Sequence, residues 1–315
     1  METPLLVPSF SSKALEYAKG NTQKVFEVLH ESMTEAVLIS AYDLSHQHIQ
    51  APEYAFAEVM FLDSGGFEAS TDHDLMDPLY PSQNPKTWTL EKYQAELDKF
   101  VSVMPMFISS FDHPAVRMPL QDQIVAAIDL FKRYPYAGRE FLIKPETIGS
   151  QYLKIPKIIS EIEQFSNFDI IGFTEEELGQ SVVERMTHIA RIRSAMDSAG
   201  IVTPIHIFGS LDPVCTPLYF LAGADIFDGL SWIRFSYWED LAVYHRVRGA
   251  LDFGGTTKEK QSLVRSYDAN LQYLNVLTNR MKRYLVEGDE MNFETHSVFV
   301  KRCLNDLRSR LKGVV

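Results

Sequence analysis

Short apolar segments alternate with helix-like stretches from Leu5 to Leu230, and this order constrains the fold more than any other feature of the sequence. Segments that are apolar on both faces favour a parallel sheet that is covered by helices. Eight of them, alternating with helices, are what a closed (β/α)₈ barrel needs. The eight predicted strands are Leu5–Pro8, Val37–Tyr42, Val59–Asp63, Pro105–Phe111, Phe141–Lys144, Asp169–Phe173, Ile205–Gly209 and Ile226–Leu230.

The sequence predicts an α/β fold, with a (β/α)₈ TIM barrel over residues 1–234 and a helix-rich C-terminal extension over residues 235–315 that packs on the barrel. The extension contains two long amphipathic stretches, Gln261–Val286 and Thr295–Lys312. An open doubly wound sheet is the alternative, but no Gly-x-Gly-x-x-Gly pattern follows an early strand to support it. The predicted barrel helices are Lys13–His30, Leu90–Val103, Leu120–Tyr134, Leu153–Glu163, Glu176–Ala199 and Pro213–Ala222.

Charge is distributed unevenly over the 315 residues, whose net charge is −12. Residues 1–230 hold 16 Lys and Arg against 32 Asp and Glu, whereas residues 231–315 hold 14 against 10. A basic C-terminal third on an acidic body permits a polyanion-binding face, and a solvated helical surface is the alternative. No apolar run is long enough to span a membrane, and the N-terminus lacks a secretory pattern. We therefore expect a soluble cytoplasmic protein without a membrane partner.

Three carboxylates follow predicted strands, where a barrel of this type has its active site. They are Asp63, Asp112 and Asp228. An aspartate after a strand is also a common loop starter or helix cap. Two carboxylates in one pocket can divide the work of nucleophile and general acid/base, which suits reaction at an acetal-like carbon. Phe67 and Phe208, beside these motifs, can stack on a planar base or belong to the core.

The motifs at these positions resemble those of the tRNA-guanine transglycosylase family. Asp63-Ser64-Gly65-Gly66-Phe67 resembles the family's DSGG(Y/F) motif. The stretch from Ile205 to Asp228 is similar to YLMGVG…G(I/C)DMFDC, and Phe111-Asp112 falls where the family has FDEC. Phe168–Phe173 resembles the strand before the family's GGL turn, and the helix after Asp268 resembles its HN…Y helix. The resemblance covers nearly the whole chain, in order.

The resemblance implies a (β/α)₈ barrel that exchanges a base at a guanosine. By this resemblance, Asp228 is the nucleophile that attacks C1′ of the sugar and forms a covalent intermediate. Asp63 is the general acid/base for the departing and the incoming base. Five further residues bind the base: Asp112 accepts hydrogen bonds from the purine edge, Phe67 and Phe208 stack on it, and the backbone at Gly172 and Gly209 adds hydrogen bonds.

The sequence departs from the family at its zinc site, which needs three cysteines and one histidine. Only Cys303 follows Cys215 here, so a four-ligand zinc site is excluded, and we expect neither a metal nor a cofactor. The segment Ser231–Thr257, in place of the zinc loop, is rich in aromatic and basic residues. This pattern suits nucleic-acid binding. The alternative is that the Trp and Tyr residues plug the rim of the barrel. The predicted phosphate contacts are Arg234, Arg246 and Arg248.

Two smaller departures lie at the predicted base pocket. Lys144-Pro145-Glu146 replaces the family's Gln-Gly, and Gly172-Phe173-Thr174 replaces the start of its GGLAVGE turn. We therefore expect a transglycosylase that inserts a 7-deazaguanine into DNA, with DNA or tRNA, guanine, the free 7-deazaguanine base and a helper protein as candidate partners. The alternatives are a tRNA enzyme with a rebuilt C-terminal region, a non-catalytic partner subunit, and a hydrolase of small nucleosides.

Overall fold

Eight parallel strands pair in chain order and close into a barrel, which confirms the predicted fold. The strands are β1 (Leu5–Phe10), β2 (Ala36–Ser40), β3 (Val59–Asp63), β4 (Met106–Ser109), β5 (Gly138–Ile143), β6 (Ile170–Thr174), β7 (Ile205–Phe208) and β8 (Ile226–Gly229). Pairing of β1 with both β2 and β8 closes the ring. The structure is a computed structural model that describes residues 2–12, 35–49, 57–70, 85–99, 105–113, 115–252, 254–256 and 258–312.

Alternate residues of each strand face the barrel axis, because successive side chains of a strand point to opposite sides. The inward apolar residues, among them Leu38, Phe61 and Ile226, form a cluster of their own at the centre of the barrel. The larger apolar cluster lies between the outer faces of the strands and the helices. Buried polar residues share this inward face by the same alternation, and they are Ser9, Ser40, Asp63, Ser109, Glu140, His206 and Asp228.

The helices around the barrel largely match the predicted ones, with shorter bounds. The predicted helix Glu176–Ala199 begins only at Val182, because Gly179 adopts φ +153° and the Ser181 side chain caps the helix by accepting from the Glu184 N–H. The predicted helix Lys13–His30 lies outside the described residues. The helices are Ala41–Ser45, Gly66–Ala69, Leu90–Leu97, Leu120–Arg133, Ile155–Ser160, Val182–Ser198 and Cys215–Leu221, with 3₁₀ turns at Ile162–Asn167 and Glu175–Leu178.

The C-terminal residues form a small hairpin and several helices. The last helix, Ser297–Lys312, packs against Val182–Ser198 and Cys215–Leu221 on the outside of the barrel. The division at residue 234 stays a prediction. The elements after β8 are the helix Ser231–Arg234, the hairpin strands Ser236–Trp238 and Leu241–Val243, the helices His245–Leu251 and Glu259–Glu287, the 3₁₀ turn Glu290–His296 and the helix Ser297–Lys312.

Asn270 fastens the long helix Glu259–Glu287 to the chain that leaves β8. Its side-chain Oδ1 accepts from the Tyr237 N–H at 2.7 Å, and its Nδ2 donates to the carbonyls of Trp232 and Phe235, both at 2.6 Å. The Trp232 indole N–H in turn donates to the Ser9 carbonyl of β1 at 3.1 Å. Within the described residues, no helix combines the length and the apolar character that crossing a bilayer requires.

Candidate active site

Asp63 and Asp228 lie in one buried site at the C-terminal mouth of the barrel. Asp63 is the last residue of β3, and Asp228 is the third residue of the four in β8. They are only 9% and 5% exposed, respectively. The charge of Asp228 acts on Asp63 and contributes to its raised pKa. The fold thus brings together the two carboxylates that the sequence predicts to be catalytic.

Three groups surround the carboxylate of Asp228. The Ser9 hydroxyl donates to Oδ2 at 2.6 Å, and the Gly209 N–H donates to Oδ1 at 3.1 Å. His206 Nε2 lies 3.3 Å from the same Oδ1 but is not aligned as a hydrogen-bond donor. Gly209 reaches this position with φ +84°, which favours glycine. These contacts fix the orientation of Asp228.

Asp63 has an environment that favours the neutral acid. Burial raises its pKa, the Gly65 N–H that donates to Oδ2 at 2.8 Å opposes this rise, and the charges of Asp228, Asp112 and Glu140 add to it. The resulting pKa is about 7. A carboxyl group with this pKa can both donate and accept a proton near neutral pH.

A buried ion pair, which the sequence analysis did not identify, lies beneath Asp228. His206 Nδ1 is 2.6 Å from Glu140 Oε1, and the Ser109 hydroxyl donates to Glu140 Oε2 at 2.7 Å. Both His206 and Glu140 are fully buried. Burial by itself would lower the pKa of His206, but the charge of Glu140 and the contacts with Asp228 outweigh it and raise the pKa to about 9. His206 is therefore a cation at neutral pH.

The loop after β3 depends on two glycines. Gly65 adopts φ +87°, and a Cβ there would lie 2.6 Å from Tyr42 Cβ. At Gly66 a Cβ would lie 2.7 Å from Asp112 Oδ2, so the missing side chain makes room for Asp112. The Asp112 N–H also donates to the Ser64 hydroxyl at 3.1 Å. The Asp63–Phe67 motif and the segment after β4 therefore form one wall of the mouth.

Asp112 is placed at the mouth, but its carboxylate is already paired. Arg117 Nη1 lies 2.9 Å from Oδ1, and Lys144 Nζ lies 3.5 Å from Oδ2. The same Lys144 Nζ is 2.8 Å from Glu177 Oε1 and donates to the Thr174 hydroxyl at 3.0 Å. The role of Asp112 in reading the purine edge stays a prediction, and Lys144 is an additional polar group of the pocket wall.

The two predicted stacking residues have different positions. Phe208 is buried, and its ring stacks on the His206 imidazole with a centroid distance of 4.1 Å and an interplanar angle of 28°. Gly172 makes room for it, since a Cβ there would lie 2.6 Å from Phe208 Cε2. Phe67 is 39% exposed on the helix Gly66–Ala69. Both are near the mouth, and stacking on a base stays a prediction for each.

Glu68 is a further buried carboxyl next to the site that the sequence analysis did not single out. The Ser11 and Ser40 hydroxyls donate to its two carboxyl oxygens. Burial, with the charges of Asp43 and Asp63, raises its pKa to about 8. A glutamate inside a four-residue helix carries no signal of burial in the sequence, because only the fold places it against β1 and β2.

The aromatic and basic residues after β8 divide between core and surface. Trp232 and Tyr237 are buried, as the rim-plug interpretation expects. The Arg248 side chain is 11% exposed, and its Nη1 donates to the Tyr237 carbonyl at 2.8 Å. Arg234 is half-buried and Arg246 is exposed. Of the three predicted phosphate contacts, Arg246 is therefore the most accessible, and Arg248 supports the fold.

In the part of the chain that the structure describes, no three His, Cys, Asp or Glu side chains are grouped as metal ligands. No protein-family model matches the chain, and no curated protein matches it either.

Proposed function

We propose that the chain is a nucleic-acid guanine transglycosylase that exchanges a guanine base for a 7-deazaguanine. The observation that carries this proposal is the pair of buried carboxylates at the barrel mouth in contrasting surroundings. Asp228 accepts from Ser9 and Gly209 and stands beside a cation, whereas Asp63 is buried with a pKa of about 7. Two carboxyl groups whose environments differ in this way suit a nucleophile and a general acid/base.

The exchange runs as a double displacement at C1′ of the sugar. A carboxylate oxygen of Asp228 attacks C1′, the C–N bond breaks, and its electron pair leaves with guanine, which takes a proton from Asp63. In the second half, the ring nitrogen of the incoming base attacks C1′ and gives its proton to Asp63. The C–O bond then breaks, and its electron pair returns to Asp228. Asp63 ends protonated and Asp228 ends charged, as they began.

We favour DNA as the polymer over tRNA. The chain lacks the cysteines of the zinc subdomain that belongs to the tRNA enzymes it resembles, and its basic residues are concentrated after residue 230. In duplex DNA the target nucleotide must leave the stack, because a stacked base blocks the path of a carboxylate to C1′. Arg246, exposed on the helix His245–Leu251, is suited to contact the backbone beside such a nucleotide.

Incubation with labelled guanine and separate pools of duplex DNA and tRNA tests the proposal. We expect wild-type protein and Asp129→Asn to label DNA, since Asp129 is an exposed partner of Lys132 on the outer helix Leu120–Arg133. Asp228→Asn should label neither polymer. Label in tRNA alone would reassign the polymer and keep the chemistry. Label in neither polymer with wild-type protein would contradict the proposal.

A further inference from the structure

No step of the proposed exchange uses the ion pair of His206 and Glu140. His206 is fully buried, so it cannot touch the sugar or the base. Its ring is held between Phe208, at a centroid distance of 4.1 Å, and Phe61, at 5.6 Å. Its Nδ1 lies 2.6 Å from Glu140 Oε1, and its Nε2 lies 3.3 Å from Asp228 Oδ1. Asp228 is therefore the catalytic carboxylate on which the charge of His206 acts.

Packing alone does not account for a buried ion pair at this position. Taking two charged groups out of water is costly, and apolar side chains of similar volume often serve stability as well or better. The neighbouring inward residues Phe61, Leu142 and Ile226 show that this level of the barrel accommodates apolar side chains. The third member, Ser109, satisfies the other carboxyl oxygen of Glu140. Ser109, Glu140 and His206 thus form a chain of polar contacts that ends beside Oδ1 of Asp228.

A cation at this oxygen affects the two halves of the exchange in opposite directions. It stabilises the free carboxylate of Asp228, which makes attack on C1′ harder. In the second half the same carboxylate is the leaving group, and the cation stabilises the charge that returns to it. An enzyme that exchanges bases has to release the sugar from its covalent ester with Asp228. A cation beside Asp228 favours this release.

We propose that His206, held as an imidazolium by Glu140, is a positioning residue that makes Asp228 a good leaving group in the second half of the exchange. The inference rests on the proposed function. It predicts a specific defect when the pair is removed: the covalent intermediate forms but is released slowly.

The charge state of His206 depends on the groups around it. The charged groups that face it are Glu140 from β5 and Asp228 from β8, while β3, β6 and β7 contribute the uncharged Phe61, Gly172 and Phe208. Beyond these two groups lies the carboxyl group of Asp63, which interacts electrostatically with Asp228 and Glu140. In the covalent intermediate Asp228 is uncharged, so Glu140 alone keeps His206 protonated. The rate at which the intermediate is released should therefore decrease with rising pH, with a midpoint no higher than about pH 9.

Single-turnover measurements separate the two halves. Formation of the protein–DNA adduct is followed without free base, and its decay is followed after addition of excess guanine. For His206→Gln we expect decay to slow about tenfold to a hundredfold, because the cation beside the leaving carboxylate is lost, while formation does not slow. In Glu140→Gln, the decrease of the decay rate with rising pH should occur at a lower pH than in wild type. His188→Gln, on the outer helix with its ring nitrogen near the Leu178 carbonyl, should behave as wild type.

His206→Gln leaves Glu140 buried without its partner and can unfold the chain. The double variant His206→Gln/Glu140→Gln replaces the ion pair by two neutral amides that can hydrogen-bond, and should show the same slow decay. Equal slowing of both halves, or unchanged rates with an unchanged pH profile in the folded double variant, would overturn the inference while leaving the exchange intact. Absence of any adduct and any guanine incorporation with wild-type protein would instead overturn the proposed function, and the inference with it.

Discussion

At the residue scale, the site places one residue type in two contrasting environments. Asp63 and Asp228 have the same side chain and similar burial. The backbone N–H of Gly65 donates to Asp63, and other negative charges surround this carboxyl group. A hydroxyl, a backbone N–H and an imidazolium surround Asp228. In the proposed exchange, the division of labour between acid and nucleophile therefore depends on neighbours that are distant in the sequence.

Replacement of Asp63 by asparagine should slow the exchange by about 10²- to 10⁴-fold, the usual contribution of a general acid/base. The nucleophile remains, so we still expect a covalent adduct with the polymer on a denaturing gel. Asp129→Asn serves as the control, because it removes an exposed carboxylate of the outer helix Leu120–Arg133. A near-normal exchange rate in Asp63→Asn would contradict the role of Asp63.

The two glycines of the Asp63–Phe67 motif should respond differently to alanine. Gly65→Ala forces φ +87° on a residue with a Cβ, which would also meet Tyr42, so we expect a loss of about 1–3 kcal/mol in the free energy of unfolding. In Gly66→Ala the new Cβ meets the carboxylate of Asp112, so we expect weaker binding of the free base and a smaller loss of stability. Urea unfolding and titration with the base distinguish the two, and equal behaviour in both assays would contradict this account.

At the scale of elements, the alternation of apolar and helical segments was sufficient to predict all eight strands in order. The hairpin of Ser236–Trp238 and Leu241–Val243 was not predicted. Its turn uses Glu239 and Asp240 at φ 49° and 61°, without the glycine that usually marks such a turn. His206 and Glu140 were not predicted as site residues either, because their proximity depends on the pairing of β5, β6 and β7. The carboxylates were predicted because each lies at or just after the C-terminal end of a strand.

The helix His245–Leu251 offers a test of the nucleic-acid surface. Loss of one phosphate contact lowers the slope of log affinity against log salt by about 0.9 for duplex DNA or about 0.7 for single strands. We expect this change in Arg246→Ala, with unchanged affinity for the free base. Arg248→Ala should mainly reduce stability, since this side chain binds the Tyr237 carbonyl and lies 3.2 Å from Asp252 Oδ2. An unchanged salt slope in Arg246→Ala would place the polymer elsewhere.

At the scale of the whole molecule, the barrel combines an apolar centre with polar groups, of which Asp63, Glu68 and His206 bind protons more tightly when folded. Burial chiefly raises the pKa of Asp63 to about 7 and that of Glu68 to about 8. Burial opposes a rise at His206, but the charges of Glu140 and Asp228 bring its pKa to about 9. Unfolding releases these protons into water. Stability should therefore decrease as the pH rises.

For His206, the stabilisation is complete below its unfolded pKa of about 6.5 and is lost as the pH rises through about 9. We expect urea unfolding to give a smaller free energy of unfolding at about pH 9 than at about pH 6.5. The double variant His206→Gln/Glu140→Gln should lose a part of this dependence, whereas His188→Gln should keep it. Stability that is constant or increases over this range would contradict the proposed charge states.

The central claim is that Asp228 forms a covalent bond to the sugar. Mass analysis of peptides from protein that has been quenched during reaction with duplex DNA tests it most directly. We predict that, after nuclease digestion of the DNA, the peptide containing Asp228 carries the mass of a nucleotide that lacks its base, and that Asp228→Asn shows neither this gain nor base exchange. Exchange that proceeds in Asp228→Asn at the wild-type rate, or an adduct on a different residue, would contradict the account.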